Sequence, residues 1–308
     1  MGILSILTRS SLSLRLIFGA IVLIVSSHPS RAEDTADSGM SPLSVESESG
    51  RFETLSDDTG SDDPTLPTYK GGGIVRGPRD HKKIALEFTA AFYADGGKVV
   101  LDELRKRKIK ASFFLAGNFY RTPEFKPLLA RMIAEGHYVG PHSDRHLLYA
   151  SWDDPPRLLV TKSEFKADLE DNLALLAKKG ISRESARFFV PPFEHYTPEI
   201  CDWARQEDMT LINYTTQGIR LPADYRADND PEFATVDEMF GTVYKAEETD
   251  PHGLNGFFLL MHLGYGPNRT RELLYNRLGE FLDKLSSRGY SFVRVDELLA
   301  GVSPKAHP

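Results

Sequence analysis

The chain has a single cysteine, Cys201, among 308 residues. No disulfide can form within it, and no lipobox cysteine stands directly after the N-terminal apolar run to take a lipid anchor, so a packed core is expected to hold the fold. Long apolar runs are also missing. The stretch from Leu16 to Val25 has about ten residues, well short of the ~20 that a helix needs to cross hydrocarbon. Positive charge is not in excess: 37 Lys and Arg stand against 44 Asp and Glu, a net charge of −7. Such a balance offers no extended basic surface for a phosphate backbone, which argues against nucleic acid as a partner.

The N-terminal residues read as an address. Arg9 and Arg15 lead into the apolar run, and Ser30-Arg31-Ala32 places small residues where a signal peptidase reads, so residues 1–32 are expected to be a signal peptide. Cleavage would leave no stable membrane span. Residues 33–80 are read as a disordered linker, with Ser, Asp, Glu, Thr and Gly dominating up to about residue 66, because such a composition buries too little apolar surface to offset the entropy of ordering. Residues 81–303 remain for one catalytic-sized domain.

Within that domain, short apolar runs alternate with amphipathic stretches, the pattern of repeated β/α units. Seven strands are expected: Ile84 to Thr89, Ala111 to Leu115, Tyr138 to Gly140, Phe188 to Val190, Thr210 to Asn213, Phe257 to His262, and Ser291 to Val295. Thr161-Lys162-Ser163-Glu164 has the form of a capping box for a helix that stops at Gly180, and a second helix from Pro123 stops at Gly136. Seven parallel strands can close as an incomplete barrel or stay open as a doubly wound sheet. Both architectures carry their sites beyond the carboxyl ends of the strands.

Chemistry-bearing residues fall at those ends. His142 and His146 follow the third strand, and four positions on a helical turn would bring two imidazoles within about 5–6 Å at Cβ, close enough to share an ion. Asp95, ahead of Gly96-Gly97, is either a helix cap or a third ligand. Two His and one Asp suit a divalent ion, Zn²⁺ first, with positions left open for water and substrate. His262 closes the apolar run Phe257 to Met261 and is placed to act as general acid at the same mouth. Pro191-Pro192-Phe193 forms a stiff rim after the fourth strand, from which Glu194 and His195 project. Phe92, Tyr93, Phe193 and Tyr196 make that rim aromatic, as sugar-face stacking requires.

The order of these segments resembles the polysaccharide deacetylases, carbohydrate esterase family four. The resemblance rests on the apolar strand ahead of Asp95-Gly96, Ala111 to Leu115, Gly136-His137 leading to His142-Ser143-x-x-His146, Pro191-Pro192-Phe193, and Leu260-Met261-His262, and covers about residues 82 to 300. It implies a distorted (β/α)7 barrel and removal of N- or O-acetyl groups from a glycan. It also implies a metal at Asp95, His142 and His146, general acid chemistry at His262, and substrate contact at Pro191, Pro192 and Phe193.

Two departures stand out. The position before Asp95 is Ala94, so the first of the family's paired aspartates, its base, is missing, and Val190 stands where an arginine commonly orients that base. Glu194 is the first candidate to replace it, with Asp144 and Glu87 behind. The rival reading is a catalytically silent glycan-binding relative; a third is another barrel metallohydrolase with more metal ligands.

Overall fold

The computed structural model describes residues 57–58 and 62–302, all within one compact unit, Val45–Pro308. The expected signal peptide and most of the expected linker lie outside the described residues.

Three short strands, β1 (Asp57–Asp58), β2 (Thr68–Lys70) and β3 (Gly73–Arg76), pair antiparallel in sequence order. They correct the far end of the linker assignment. Tyr69, Ile74 and Val75 are buried, and the Arg76 guanidinium sits 2.7 Å from Asp250, itself nearly buried. Two to four residues are too few to show a period, and the turn between β2 and β3 uses Gly71 and Gly72 at φ 52° and 82°, a conformation that favours glycine. Composition therefore read as disorder where a small sheet forms.

The seven expected strands are all present. In chain order the elements are β4 (Lys83–Ala90), α1 (Gly97–Arg107), β5 (Ser112–Leu115), α2 (Gly117–Arg121), α3 (Lys126–Ala134), β6 (Tyr138–Pro141), α4 (Lys162–Ala177), β7 (Phe188–Phe189), α5 (Pro198–Gln206), β8 (Thr210–Leu211), α6 (Val236–Thr249), β9 (Phe258–His262), α7 (Leu278–Ser287), β10 (Ser291–Val293) and α8 (Val295–Leu298). Strand β4 is central, pairing in parallel with β5, β9 and β10, while β5 continues to β6. Strands β7 and β8 form a second parallel pair.

Single backbone bonds link the two groups: Val190 N–H donates to the Pro141 carbonyl at 3.4 Å, and Thr215 N–H to that of Phe258 at 3.1 Å. The result is a distorted (β/α)7 barrel whose ladder is continuous on one side and stitched on the other.

Alternation along β4 divides the core. Ile84, Leu86, Phe88 and Ala90 face the helical layer, where they pack with Val100, Leu104, Phe281 and Leu285. Ala85 faces inward with Phe114, Tyr138, Phe188, Ile212 and Leu260. By the two-residue period of a strand, Glu87 and Thr89 share that inward side. The helix ends follow their sequence signals. Thr161 and Glu164 form a reciprocal capping box at α4, and Gly136 and Gly180 adopt φ 76° and 79° just beyond α3 and α4.

Candidate active site

The loop after β6 carries the two histidines, and it is not helical. Ser143 and His146 adopt left-handed backbone at φ 66° and 56°, so a tight turn, rather than a helical period, brings the imidazoles to a centroid separation of 5.1 Å. Helix α4 holds that turn in place. The His142 N–H donates to Asn172 Oδ1 at 3.0 Å, while Asn172 Nδ2 donates to the Leu115 carbonyl. Asp168, fully buried, accepts from Arg145 N–H at 2.8 Å and from the Tyr149 hydroxyl at 2.7 Å.

His142 Nδ1 faces the Val190 carbonyl at 2.8 Å. A carbonyl can only accept, so Nδ1 carries the proton and Nε2 keeps its lone pair. Burial pushes His142 well below its ordinary range, and the neighbouring His146 and His262 add to this. Burial and His262 likewise lower His146 to about 4. Both rings are therefore neutral at pH 7, the state in which imidazole binds a metal.

Across the mouth, the proline rim turns sharply. Phe193 and Glu194 are consecutive left-handed residues at φ 59° and 53°. Such backbone costs on the order of 1–3 kcal/mol per residue and gathers at functional sites. The turn lays Phe193 against His146 at 4.6 Å between ring centroids. Glu194 Oε1 is buried without a hydrogen-bond partner, as are both carboxyl oxygens of Glu87 and the Thr89 hydroxyl. Burial raises the Glu194 carboxyl to about 7, with His262 opposing and Asp224 assisting the rise. Glu87 is pushed well above its ordinary range, first by burial and then by Glu194.

His262 ends β9 within reach of a carboxylate that the sequence did not reveal. Its Nδ1 stands 2.6 Å from Asp224 Oδ1, and its backbone N–H donates to Asp224 Oδ2 at 2.9 Å. The Tyr265 hydroxyl donates to the same oxygen at 3.1 Å. Asp224, fully buried, thus fixes the ring with Nδ1–H as donor and leaves Nε2 as the atom that takes up and releases a proton. No local pattern announces it, because Leu221-Pro222-Ala223-Asp224 is an ordinary turn and its partner lies 38 residues away.

Asp95 stands apart from the two imidazoles. It is exposed, and its Oδ1 accepts from the N–H groups of Tyr265 and Gly266 at 2.9 and 3.2 Å while Oδ2 accepts from the Tyr275 hydroxyl at 3.2 Å. These bonds tie it to the loop after β9. Nor is it the cap of α1, which starts from Gly96 with no side-chain bond. Among the described residues no three His, Cys, Asp or Glu side chains stand together as a ligand set. The imidazole half of the implied site fits a divalent ion, in tautomer and charge; the carboxylate half does not.

Other expectations divide similarly. Pro191 and Pro192 are buried, leaving half-buried Phe193 as the member of that trio with surface to offer. His195 stacks on Trp152 at 3.8 Å and places Nε2 3.0 Å from the Ser151 carbonyl, a structural role. Asp144 is paired with Arg121 at 2.5 Å. Tyr196 is fully buried, whereas Phe92 and Tyr93 are 58% and 49% exposed.

Residues 76–212 match the family model described as polysaccharide deacetylase. Over that stretch the chain is similar to the polysaccharide deacetylases. A peptidoglycan-N-acetylglucosamine deacetylase of Bacillus cereus is 23% identical over 163 residues, which is 53% of this chain and 55% of that protein. A second Bacillus cereus protein with the same name is 26% identical over 224 residues, 72% of this chain and 90% of its own length. Among solved structures, a carbohydrate esterase family 4 pseudoenzyme from Bacillus anthracis superposes with a TM-score of 0.57 at 21% identity, covering 74% of this chain and 68% of its own. That likeness shows the deacetylase fold and nothing finer.

Proposed function

We propose that the chain is a hydrolase that removes acetyl groups from a glycan. The observation that carries this is the closeness of opposed proton-handling groups at one barrel mouth: the half-buried Glu194, with its Oε1 out of solvent, and the Asp224–His262 pair, whose charges act on each other. In the reaction, Glu194 takes a proton from the attacking water while its oxygen adds to the acetyl carbonyl. His262 delivers a proton from Nε2 to the departing nitrogen or oxygen, and Asp224 steadies the imidazolium through Nδ1–H. A carboxyl near 7 is matched to base catalysis at neutral pH.

His142 and His146 would hold a divalent ion, Zn²⁺ first. When bound, it would polarise the acetyl carbonyl and acidify water. The relatives' names put N-acetylglucosamine polymers first among substrates to test, and the N-terminal pattern of Arg9, Arg15 and the apolar run supports action outside the cytoplasm. No described helix is long and apolar enough to cross a membrane.

The test is acetate release from N-acetylchitooligosaccharides and acetylated xylan by the purified protein, with and without chelation. Release that stops on chelation supports the reading. A protein that binds these glycans and releases no acetate is instead the silent relative, a reading favoured by Thr89 and Ala90, which bring no carboxylate to the end of β4.

A further inference from the structure

We infer that Asn213 is a positioning residue for Glu194, and that the hairpin of β2 and β3 is the wall that holds both in place. Its role rests on Glu194 being the base. Apart from Arg76, the hairpin lies ahead of the residues that match the deacetylase model, and Asn213 lies just beyond them. Strand β3 enters the seam between β8 and β9, where the barrel is only stitched. Ile74 bridges Ile212 in parallel and Arg76 bridges Phe257 antiparallel. The Thr215 hydroxyl donates to the Val75 carbonyl at 2.6 Å, and Gly77 N–H to that of Gly256 at 2.8 Å.

Asn213 stands where this seam meets the proline rim, and it is fully buried. Its backbone N–H donates to the Ile74 carbonyl at 2.9 Å, its Oδ1 accepts from Tyr214 N–H at 2.8 Å, and its Nδ2 donates to the Glu194 carbonyl. The amide can face only one way, because a backbone N–H only donates and a carbonyl only accepts. The last of these bonds falls on strained backbone. Phe193 and Glu194 are both left-handed, a conformation that persists only where the surroundings over-determine it. Within the rim, Glu194 N–H donates to the Pro191 carbonyl at 3.0 Å and His195 N–H to that of Pro192 at 3.3 Å; Asn213 adds a hold from the barrel wall. The hairpin also grips the rim two residues on. There the Tyr196 hydroxyl donates to the Lys70 carbonyl, and Gly73 is so near that a Cβ would come within 2.6 Å of that oxygen. A base that drifts by about 1 Å can lose about 10² in rate.

The test measures kcat and KM for acetate release from the pentamer of N-acetylglucosamine by wild type, Asn213→Ala, Tyr196→Phe, Glu194→Gln and the double variant Asn213→Ala/Glu194→Gln. Asn213→Ala is expected to lower kcat by about 10- to 100-fold and to leave KM within about threefold; Tyr196→Phe, which keeps the ring, should lower kcat by about two- to fivefold. Because Asn213 acts through Glu194, its loss should cost nothing further once Glu194 is replaced by Gln. The same factor in both backgrounds, or full kcat in both Asn213→Ala and Tyr196→Phe, overturns the role.

Amide hydrogen exchange separates this role from the base chemistry. If wild type releases no acetate, or Glu194→Gln keeps its kcat, the base reading fails, yet Asn213→Ala must still lose about tenfold more protection at the Glu194 and His195 amides than at Leu173 and Leu176 of α4. Equal loss at both places, or none at the rim, rejects the hold of Asn213 on the turn. Should Asn213→Ala not fold, Tyr196→Phe decides: unchanged kcat with unchanged protection at Glu194 and His195 overturns the hairpin's grip.

Discussion

At the scale of the residue, Glu194 is held under several constraints at once. It occupies left-handed backbone, its Oε1 is buried with no partner, and its carboxyl is raised from 4.5 to about 7. As a base it works when ionised, so turnover is expected to rise with pH through about 7. Glu194→Gln should cost ~10²–10⁴ in kcat and abolish that rise, as pH–rate profiles of both proteins will show. The same shift has a stability cost of defined sign. A carboxyl whose folded value exceeds its unfolded value favours the folded state only while protonated. The penalty is therefore absent below about 4.5, grows between 4.5 and 7, and is complete above 7. Glu194→Gln should accordingly raise Tm at pH 8 by at least about 2 °C and leave it unmoved at pH 4; a lower Tm at pH 8 would mean that the carboxylate has a partner. Residue identity made Glu194 and His262 legible in the sequence, as their polarity stands out at strand ends. Asp95 shows the limit of that signal: an aspartate before two glycines looks the same whether it binds an ion or the N–H groups of Tyr265 and Gly266, some 170 residues away.

At the scale of the element, α4 does more than cover the sheet. Its buried Asp168 and Asn172 carry the histidine turn, bonding the N–H groups of Arg145 and His142 and the Tyr149 hydroxyl. Replacing Asp168 with Ala leaves the buried Tyr149 hydroxyl and the part-buried Arg145 N–H unmatched, each worth about 1–3 kcal/mol. Asp168→Ala should therefore lower unfolding free energy by roughly 2–5 kcal/mol, seen as a fall in the urea midpoint with an unchanged slope. A loss below about 0.5 kcal/mol would show that water replaces the carboxylate and that α4 does not carry the turn. The strands and the α4 capping box were legible because their signals are local: a period of two, a Thr and Glu three apart, a glycine at the stop. The contacts that make α4 a support were not, since Asp168 and Asn172 read as polar positions on an amphipathic helix and only the closed barrel turns them inward. The sheet of β2 and β3 was hidden for a related reason, as Tyr69 and Ile74 become core only against Phe188 and Ile212 of the barrel.

For the whole molecule, the order of motifs along the chain conveyed the family resemblance and the fold, while the composition of the implied metal site depended on where the loop of residues 91–96 goes. In this chain β4 ends in Thr89 and Ala90, and the loop that follows brings Asp95 to the segment after β9, where it binds Tyr265, Gly266 and Tyr275. The two neutral imidazoles remain. A divalent ion bound there would stabilise the folded protein by mass action, raising Tm with metal concentration. Wild type should show that dependence and retain close to one Zn²⁺ per chain after dialysis, whereas His142→Ala and His146→Ala should lose both the ion and the Tm response. Asp95→Ala separates the two accounts of the site. If Asp95 is a structural tie, its removal lowers Tm by a few degrees by freeing two backbone N–H groups, and metal content stays as in wild type. If Asp95 is a ligand, metal content falls with it. Elemental analysis and a Zn²⁺ titration followed by thermal unfolding distinguish these without reference to activity. An Asp95→Ala protein that retains its fold but takes up no ion would return the carboxylate to the site and overturn the placement of that loop.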